Sequence, residues 1–223
     1  MISNKLTLSE IKDISSIVVD EISDHDRDEM AIPSYLHANP LIRWLMWKRY
    51  EVIASMLPVS STQSAMEFGC GMGLFLPEMK SRFDTVYAMD LFPQYALELT
   101  RRYAIDVNFI NSFSEIPDNS LDVIIAADVL EHLDTLEDTL GNFQLKLKNN
   151  DNASLIVSGP TENIFYKIGR YAAGFGNKGD YHHTNINALV SDIVDFGFQL
   201  EEETTLPLSF GPCLFRVCRF VHG

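Results

Sequence analysis

The chain is poor in cysteine and in positive charge, and each shortage excludes something. Its 223 residues include three cysteines, Cys70, Cys213 and Cys218. Their spacing makes no metal-ligand pattern, and an odd number excludes a fully paired disulfide framework. Reduced thiols in the cytoplasm are the expectation. Lys and Arg number 17 against 31 Asp and Glu, a formal net charge of −14. That balance disfavours sequence-independent nucleic-acid binding, which needs basic surface against phosphates. No apolar run reaches the roughly 18 residues of a membrane span, and no signal-peptide pattern opens the chain. Repeats and low-complexity tracts are absent. What remains is the profile of a soluble globule, 46% hydrophobic with mean hydropathy +0.00, and of a length that suits one domain with a substantial core. Monomer and homodimer are equally compatible with it.

One stretch points to a reaction. Ala65–Gly73 reads A-M-E-F-G-C-G-M-G, an apolar run that ends at Glu67 and is followed by Gly69, Gly71 and Gly73. This suits a buried strand turning sharply into a helix, because glycine takes positive φ and lets a ligand approach the backbone. A second acid, Asp90, closes the next apolar run, Thr85–Asp90. It falls roughly 20 residues beyond the glycines, where a carboxylate can grip ribose hydroxyls. A dinucleotide site calls for a third glycine at position 74, and Leu74 stands there.

The surrounding pattern predicts alternating strands and helices. Thr7-Leu-Ser-Glu10 is a capping box, followed by Ile11, Ile14, Val18 and Ile22 at helical spacing. Asn39 and Pro40 start a second helix that runs to about Leu57. Strands are expected near 63–69, 84–90, 106–111, 121–128, 153–158, 199–206 and 213–221. Helices are expected near 71–82, 93–103, 131–147 and 187–196. Such alternation implies a doubly wound, mostly parallel α/β sheet, with ligands beyond the carboxyl ends of its strands. Glu67, Asp90, Asn111–Phe113 and Asp128 all fall at those ends.

The G-x-G-x-G preceded by Glu67 resembles motif I of the class I S-adenosylmethionine (SAM)-dependent methyltransferases. Asn111–Pro117, Asp118–Ile125 and Asp128-Val-Leu-Glu-His-Leu133 resemble the later motifs in the right order. The ubiquinone/menaquinone-type small-molecule methyltransferases are the branch it looks most like, over about residues 45–200. The resemblance implies a Rossmann-like seven-stranded domain over 61–223. It also implies an N-terminal helical lid over 1–60 and a substrate insertion at about 161–184. SAM would be the cofactor and S-adenosylhomocysteine (SAH) the product, with no metal.

It also implies roles. Gly69, Cys70, Gly71 and Gly73 would pass backbone along the cofactor's methionine part, and Glu67 would orient its amino group. Asp90 would hold the ribose, and Leu91, Ser112 and Phe113 would meet adenine. Asp128 would face the methionine part or the acceptor, or else cap the next helix. Tyr35, His37, Tyr166 and Arg170 are acceptor-pocket candidates. His182, His183 and His132 are candidate bases, since imidazole exchanges a proton near neutrality. The basic, aromatic segment Ile42–Arg49 either packs on the core with its cations reaching solvent, rests on a membrane surface or grips an anionic substrate. The expected reaction is O-methylation of a small-molecule or sugar-containing acceptor. The alternatives are a nicotinamide-dependent oxidoreductase, an aminopropyl transferase and a non-catalytic SAM-binding protein.

Overall fold

Thr7 opens the first helix by a reciprocal cap. Its hydroxyl accepts from the Glu10 N–H, and the Glu10 carboxylate accepts from the Thr7 N–H at 2.6 Å. The computed structural model describes residues 5–17, 32–58, 63–163, 166, 171, 184–207 and 213–222. Helix α1 spans Leu8–Ser15 and buries Ile11 and Ile14; the expected continuation through Val18 and Ile22 lies outside the described residues. A short α2, Ile32–Leu36, precedes α3, Pro40–Met56. Asn39 caps α3 as expected, its side-chain oxygen accepting from the Leu41 N–H at 2.9 Å.

The alternating part follows: β1 Ser64–Phe68, α4 Leu76–Lys80, β2 Thr85–Met89, α5 Gln94–Arg102, β3 Asn108–Phe109 and β4 Val123–Ala127. Then come α6 Leu136–Lys146, β5 Ser154–Pro160, α7 Ile186–Phe196, β6 Phe198–Leu206 and β7 Phe215–His222. The sheet has seven strands in the order β3-β2-β1-β4-β5-β7-β6. All pairings are parallel except those of β7, which runs antiparallel to β5 and to β6. Strand order reverses between β1 and β4, which creates the crevice expected of a doubly wound sheet.

Alternation along the strands builds one core on each face. Ala65, Val86, Ala88, Val123, Ile125 and Ile156 pack with α1–α5, whereas Met66, Ile124, Ala126, Leu155 and Val157 pack with α6 and α7. The N-terminal helices therefore lie on the face toward which Glu67 alternates.

Three elements are shorter than expected, each for a local reason. Helix α4 begins at Leu76 because Gly71 and Gly73 take φ +51° and +72°, which a right-handed helix cannot include. Strand β3 is brief because the Asn111 and Ser112 N–H groups turn to the Glu115 carboxylate at 2.8 and 3.0 Å. The predicted helix 131–147 is split. A 3-10 turn covers Leu130–His132, Leu133 is extended with ψ 133°, and α6 starts at Leu136.

At the amino end of β4, Asp122 ties three segments together. Its carboxylate accepts from the Ser64 N–H at 2.9 Å and from the Lys148 ammonium at 2.8 Å. Asp122→Ala should lower stability by about 1–3 kcal/mol, read as the midpoint of urea unfolding. An unchanged midpoint would mean that β1 and β4 do not depend on this link.

Candidate functional site

The turn after β1 is tied to the end of β2. The Gly69 and Cys70 N–H groups donate to the Met89 carbonyl at 2.8 and 3.2 Å. The Gly71 N–H donates to Asp90 Oδ2 at 2.7 Å, and Asp90 Oδ1 accepts from the Phe92 N–H at 2.9 Å. Gly73 is required by packing as well as by φ, since a Cβ there would lie 2.9 Å from the Ala96 Cβ. A Cβ on Gly71 would meet nothing within 4 Å. Backbone at Gly71 thus borders open space beside the Asp90 carboxylate, an arrangement suited to a ligand with vicinal hydroxyls.

Glu67 is buried under α3, and its Oε2 has no hydrogen-bond partner among the described residues. Burial, and then the Asp90 charge, push its carboxyl well above the usual carboxylate range. A partnerless buried carboxyl is costly unless it stays protonated or meets a cationic donor. Cys70 is also buried, and its thiol is raised by burial and by the charges of Glu67 and Asp90, so it is a poor nucleophile.

Across the crevice, Asp128 sits at the end of β4 in the left-handed region, with φ +54°. It does not cap the following turn, whose N-cap is Val129 and has no side-chain bond. Instead it accepts from the Ser158 hydroxyl at 2.8 Å and forms an ion pair with Arg49 of α3. Arg49 is 3% exposed. Its Nη2 donates to the Tyr35 hydroxyl at 3.3 Å, and its Nε has no partner among the described residues. The guanidinium lies 5.8 Å from the Tyr50 ring centre and 5.3 Å from that of Phe215. Tyr50 stacks in turn on Phe75, at the end of the glycine turn, at 4.9 Å.

Arg49 and Glu131 are the site residues that sequence reading missed. For the segment Ile42–Arg49 the sequence leaves core packing, a membrane surface and an anionic substrate open, and none of these pairs Arg49 with Asp128. The signal for an inward Arg49 is its place at i+3 from Met46 and i−4 from Ile53, within the buried stripe Met46, Arg49, Tyr50, Ile53 of α3. Glu131 stood inside a recognised motif, and only its neighbour His132 was weighed. Both Glu131 oxygens are buried without a partner among the described residues, and burial raises its carboxyl to about 7. A Cβ on Gly159 would lie 3.6 Å from Glu131 Oε1, within ordinary contact, so the acid sits against the end of β5.

Other expected residues are placed as follows. Leu91 is 89% exposed at the lip beside Asp90. Ser112 caps the 3-10 turn Phe113–Glu115, accepting from the Ser114 N–H at 3.2 Å, and Phe113 stacks on Phe68 at 5.8 Å. Tyr35 is buried against Trp47 and Tyr50. His37 helps to start α3, its Nδ1 accepting from the Asn39 N–H at 3.0 Å. Tyr166 packs edge-on against Phe215 at 5.6 Å, and the His132 N–H closes its turn on the Val129 carbonyl at 3.1 Å. Arg170, His182 and His183 lie outside the described residues. No group of three His, Cys, Asp or Glu among the described residues could hold a metal ion. None of the described helices is long and apolar enough to cross a membrane.

The raised Glu131 carboxyl has a consequence for stability. Between pH 4.5, its ordinary value, and about 7, the folded protein keeps a proton that the unfolded chain releases. Stability contributed by this group therefore falls as pH rises through that window and levels above it, by up to about 3 kcal/mol. Urea midpoints across the window should fall less steeply for Glu131→Gln than for the wild type. Equal slopes would show that Glu131 titrates as an ordinary carboxylate.

Comparison with known proteins agrees with this geometry. The methyltransferase domain family matches residues 24–202. No curated protein sequence matches the chain. Among solved structures, a SAM-dependent methyltransferase from Aquifex aeolicus is similar, with TM-score 0.58 and 19% identity over 97% of this chain and 99% of that one. The N-methyltransferase NodS from Bradyrhizobium japonicum WM9, in complex with SAH, gives 0.61 and 15% over 88% and 95%. The [4+2]-cyclase SpnF gives 0.60 and 13% over 78% and 79%. At these identities the structures speak for the fold. With most of its length inside the family match, the chain belongs to the methyltransferase domain family, the SAM-dependent class anticipated from its glycine turn.

Proposed function

We propose that the chain transfers a methyl group from SAM to a hydroxyl of a small-molecule or sugar-containing acceptor, in the manner of the ubiquinone/menaquinone-type enzymes. One observation carries the cofactor reading. The open backbone face at Gly71, the Asp90 carboxylate, the partnerless Glu67 and the buried Arg49 meet at the reversal of strand order. These groups match the polar parts of the cofactor one by one. Asp90 suits the ribose diol and exposed Leu91 the adenine face, with Ser112 and Phe113 nearby. Glu67 and Asp128 suit the ammonium, and the free Nε of Arg49 suits the carboxylate.

When bound, SAM supplies a methyl group on a sulfonium, already activated toward displacement. The protein's share is alignment and exclusion of water. Residues 1–60 act as the lid, with Tyr35, Trp47 and Tyr50 covering the crevice. The remainder, with its insertion at about 161–184, shapes the acceptor pocket, to which Tyr166 and Arg170 contribute. A hydroxyl acceptor must lose a proton as it attacks. Glu131, whose carboxyl is poised at about 7, joins His132, His182 and His183 as a group able to take it. The enzyme works in the cytoplasm and needs no metal.

Titration calorimetry with SAH should give micromolar affinity, worth about 8 kcal/mol. Asp90→Ala and Arg49→Met should each weaken it by about 10–100-fold, the loss of one or two charge-assisted bonds. Folded wild-type protein that gives no heat with SAH would overturn the cofactor assignment. Unchanged affinity in Arg49→Met would remove Arg49 from the site and leave it a purely structural cation.

A further inference from the structure

The first two turns of α3 break the pattern of a surface helix. Such a helix turns polar side chains to water, yet Leu41–Trp47 contains a single charged residue, Arg43. Met46 and Trp47 are buried, whereas Leu41 is 65% exposed and Trp44 44%. Leu41 and Trp44 stand three residues apart and so share one side of the helix. Leu8, 37% exposed at the start of α1, joins Trp44 in the wall of a shallow groove between the two helices. Three large apolar side chains therefore meet water where these helices begin, at a cost in free energy unless something covers them.

Charge on this face runs against that of the chain. Acids outnumber bases 31 to 17 overall, yet the described groove wall holds Lys5 and Arg43 and no acid. The Lys5 ammonium sits over the Trp47 ring, 4.7 Å from its centre. Arg43 Nη1 donates to the His37 and Ala38 carbonyls, which fixes the guanidinium at the start of α3. Nearby acids are engaged elsewhere. Glu10 closes back on the Thr7 N–H at 2.6 Å, and Glu51, whose charge reaches Lys5, pairs with Lys48 at 3.3 Å. Buried Tyr35 and Trp47 form the floor of the groove and wall it from the crevice. A two-fold contact with a second copy would set Lys5 and Arg43 against the same cations. The face calls instead for an occupant that is anionic and apolar at once.

We propose that this face is a peripheral membrane contact, in which Leu8, Leu41 and Trp44 enter the interfacial layer of a bilayer while Lys5 and Arg43 meet anionic headgroups. Tryptophan suits that depth, with an apolar ring and an N–H for the headgroup layer. None of the described helices is long and apolar enough to span, so the chain lies on the surface, held by shallow insertion and by charge. Lipid supplies both the apolar layer and the negative charge that this face matches, whereas an acidic peptide supplies the charge alone. The proposal is independent of the methyltransferase reading and adds to it the surface at which the chain works.

The test is co-sedimentation with two kinds of vesicle, phosphatidylcholine alone and an equal mixture of phosphatidylcholine and phosphatidylglycerol. Wild-type protein should bind the mixed vesicles at least about tenfold more tightly, with the preference weakened by added salt. Tryptophan emission should shift to the blue on binding, through exposed Trp44, because Trp47 is already buried. Leu41→Ser/Trp44→Ser alters exposed side chains alone, so it should keep the wild-type urea midpoint and lose about tenfold or more in vesicle affinity. Lys5→Gln/Arg43→Gln should lose the preference for phosphatidylglycerol, and Lys5→Arg/Arg43→Lys, which keeps both charges, should retain it. No sedimentation of the wild type with mixed vesicles overturns the proposal, as does undiminished binding by Leu41→Ser/Trp44→Ser. So does charge-dependent binding of polyglutamate in the absence of vesicle binding, which would make the face a contact for an acidic protein. Failure of the methyltransferase reading is separate: SAH would then not bind the wild type, while vesicle binding stood.

Discussion

The ion pair between buried Arg49 and half-buried Asp128 is the constraint around which the rest is arranged. It joins a helix that precedes the alternating α/β part to the carboxyl end of a central strand. A buried arginine is costly unless its charge is met and its donors are satisfied. Here Asp128 supplies the charge, Tyr35 accepts a hydrogen bond, and the rings of Tyr50 and Phe215 face the guanidinium. Tyr50 then stacks on Phe75, so one side chain couples α3 to the glycine turn, to β4 and to β7. Asp128 is held in turn by the Ser158 hydroxyl and by its unusual backbone.

Electrostatics follow from this arrangement. Glu67 and Glu131 are buried acids, Asp90 and Asp128 close the ends of β2 and β4, and buried Arg49 is paired with Asp128. Burial resolves the imbalance by holding Glu67 and Glu131 toward their protonated forms. A ligand carrying positive charge relieves the same imbalance by another route, which is why an acidic crevice suits a sulfonium cofactor that also bears an ammonium.

Much of this could be read from the chain. The glycine spacing, Asp90 and the alternation of elements led to the sheet, its reversal point and the strand-end acids, because backbone geometry and two-residue periodicity leave direct marks in sequence. The shortened elements could not be read so well. Residues 71–75 look helical until the positive φ at Gly71 and Gly73 is known, and β3 ends where a side chain four residues on, Glu115, captures its N–H groups. Arg49 and Glu131 were hidden for a different reason. A buried charge is made tolerable by partners distant in sequence, and Asp128 stands far from Arg49 along the chain. Only the helical stripe on which Arg49 lies hinted that it points inward.

The pairing of Arg49 with Asp128 is measured most directly by a double-mutant cycle on unfolding free energy. Arg49→Met leaves Asp128 without its counter-charge, and Asp128→Asn leaves a buried guanidinium unmet, so each single variant should lose roughly 2–4 kcal/mol. The double variant should lose well under the sum, with a coupling of at least about 1.5 kcal/mol. Additive losses would contradict the account, because they would show that helix α3 and the β4 end are held by separate interactions.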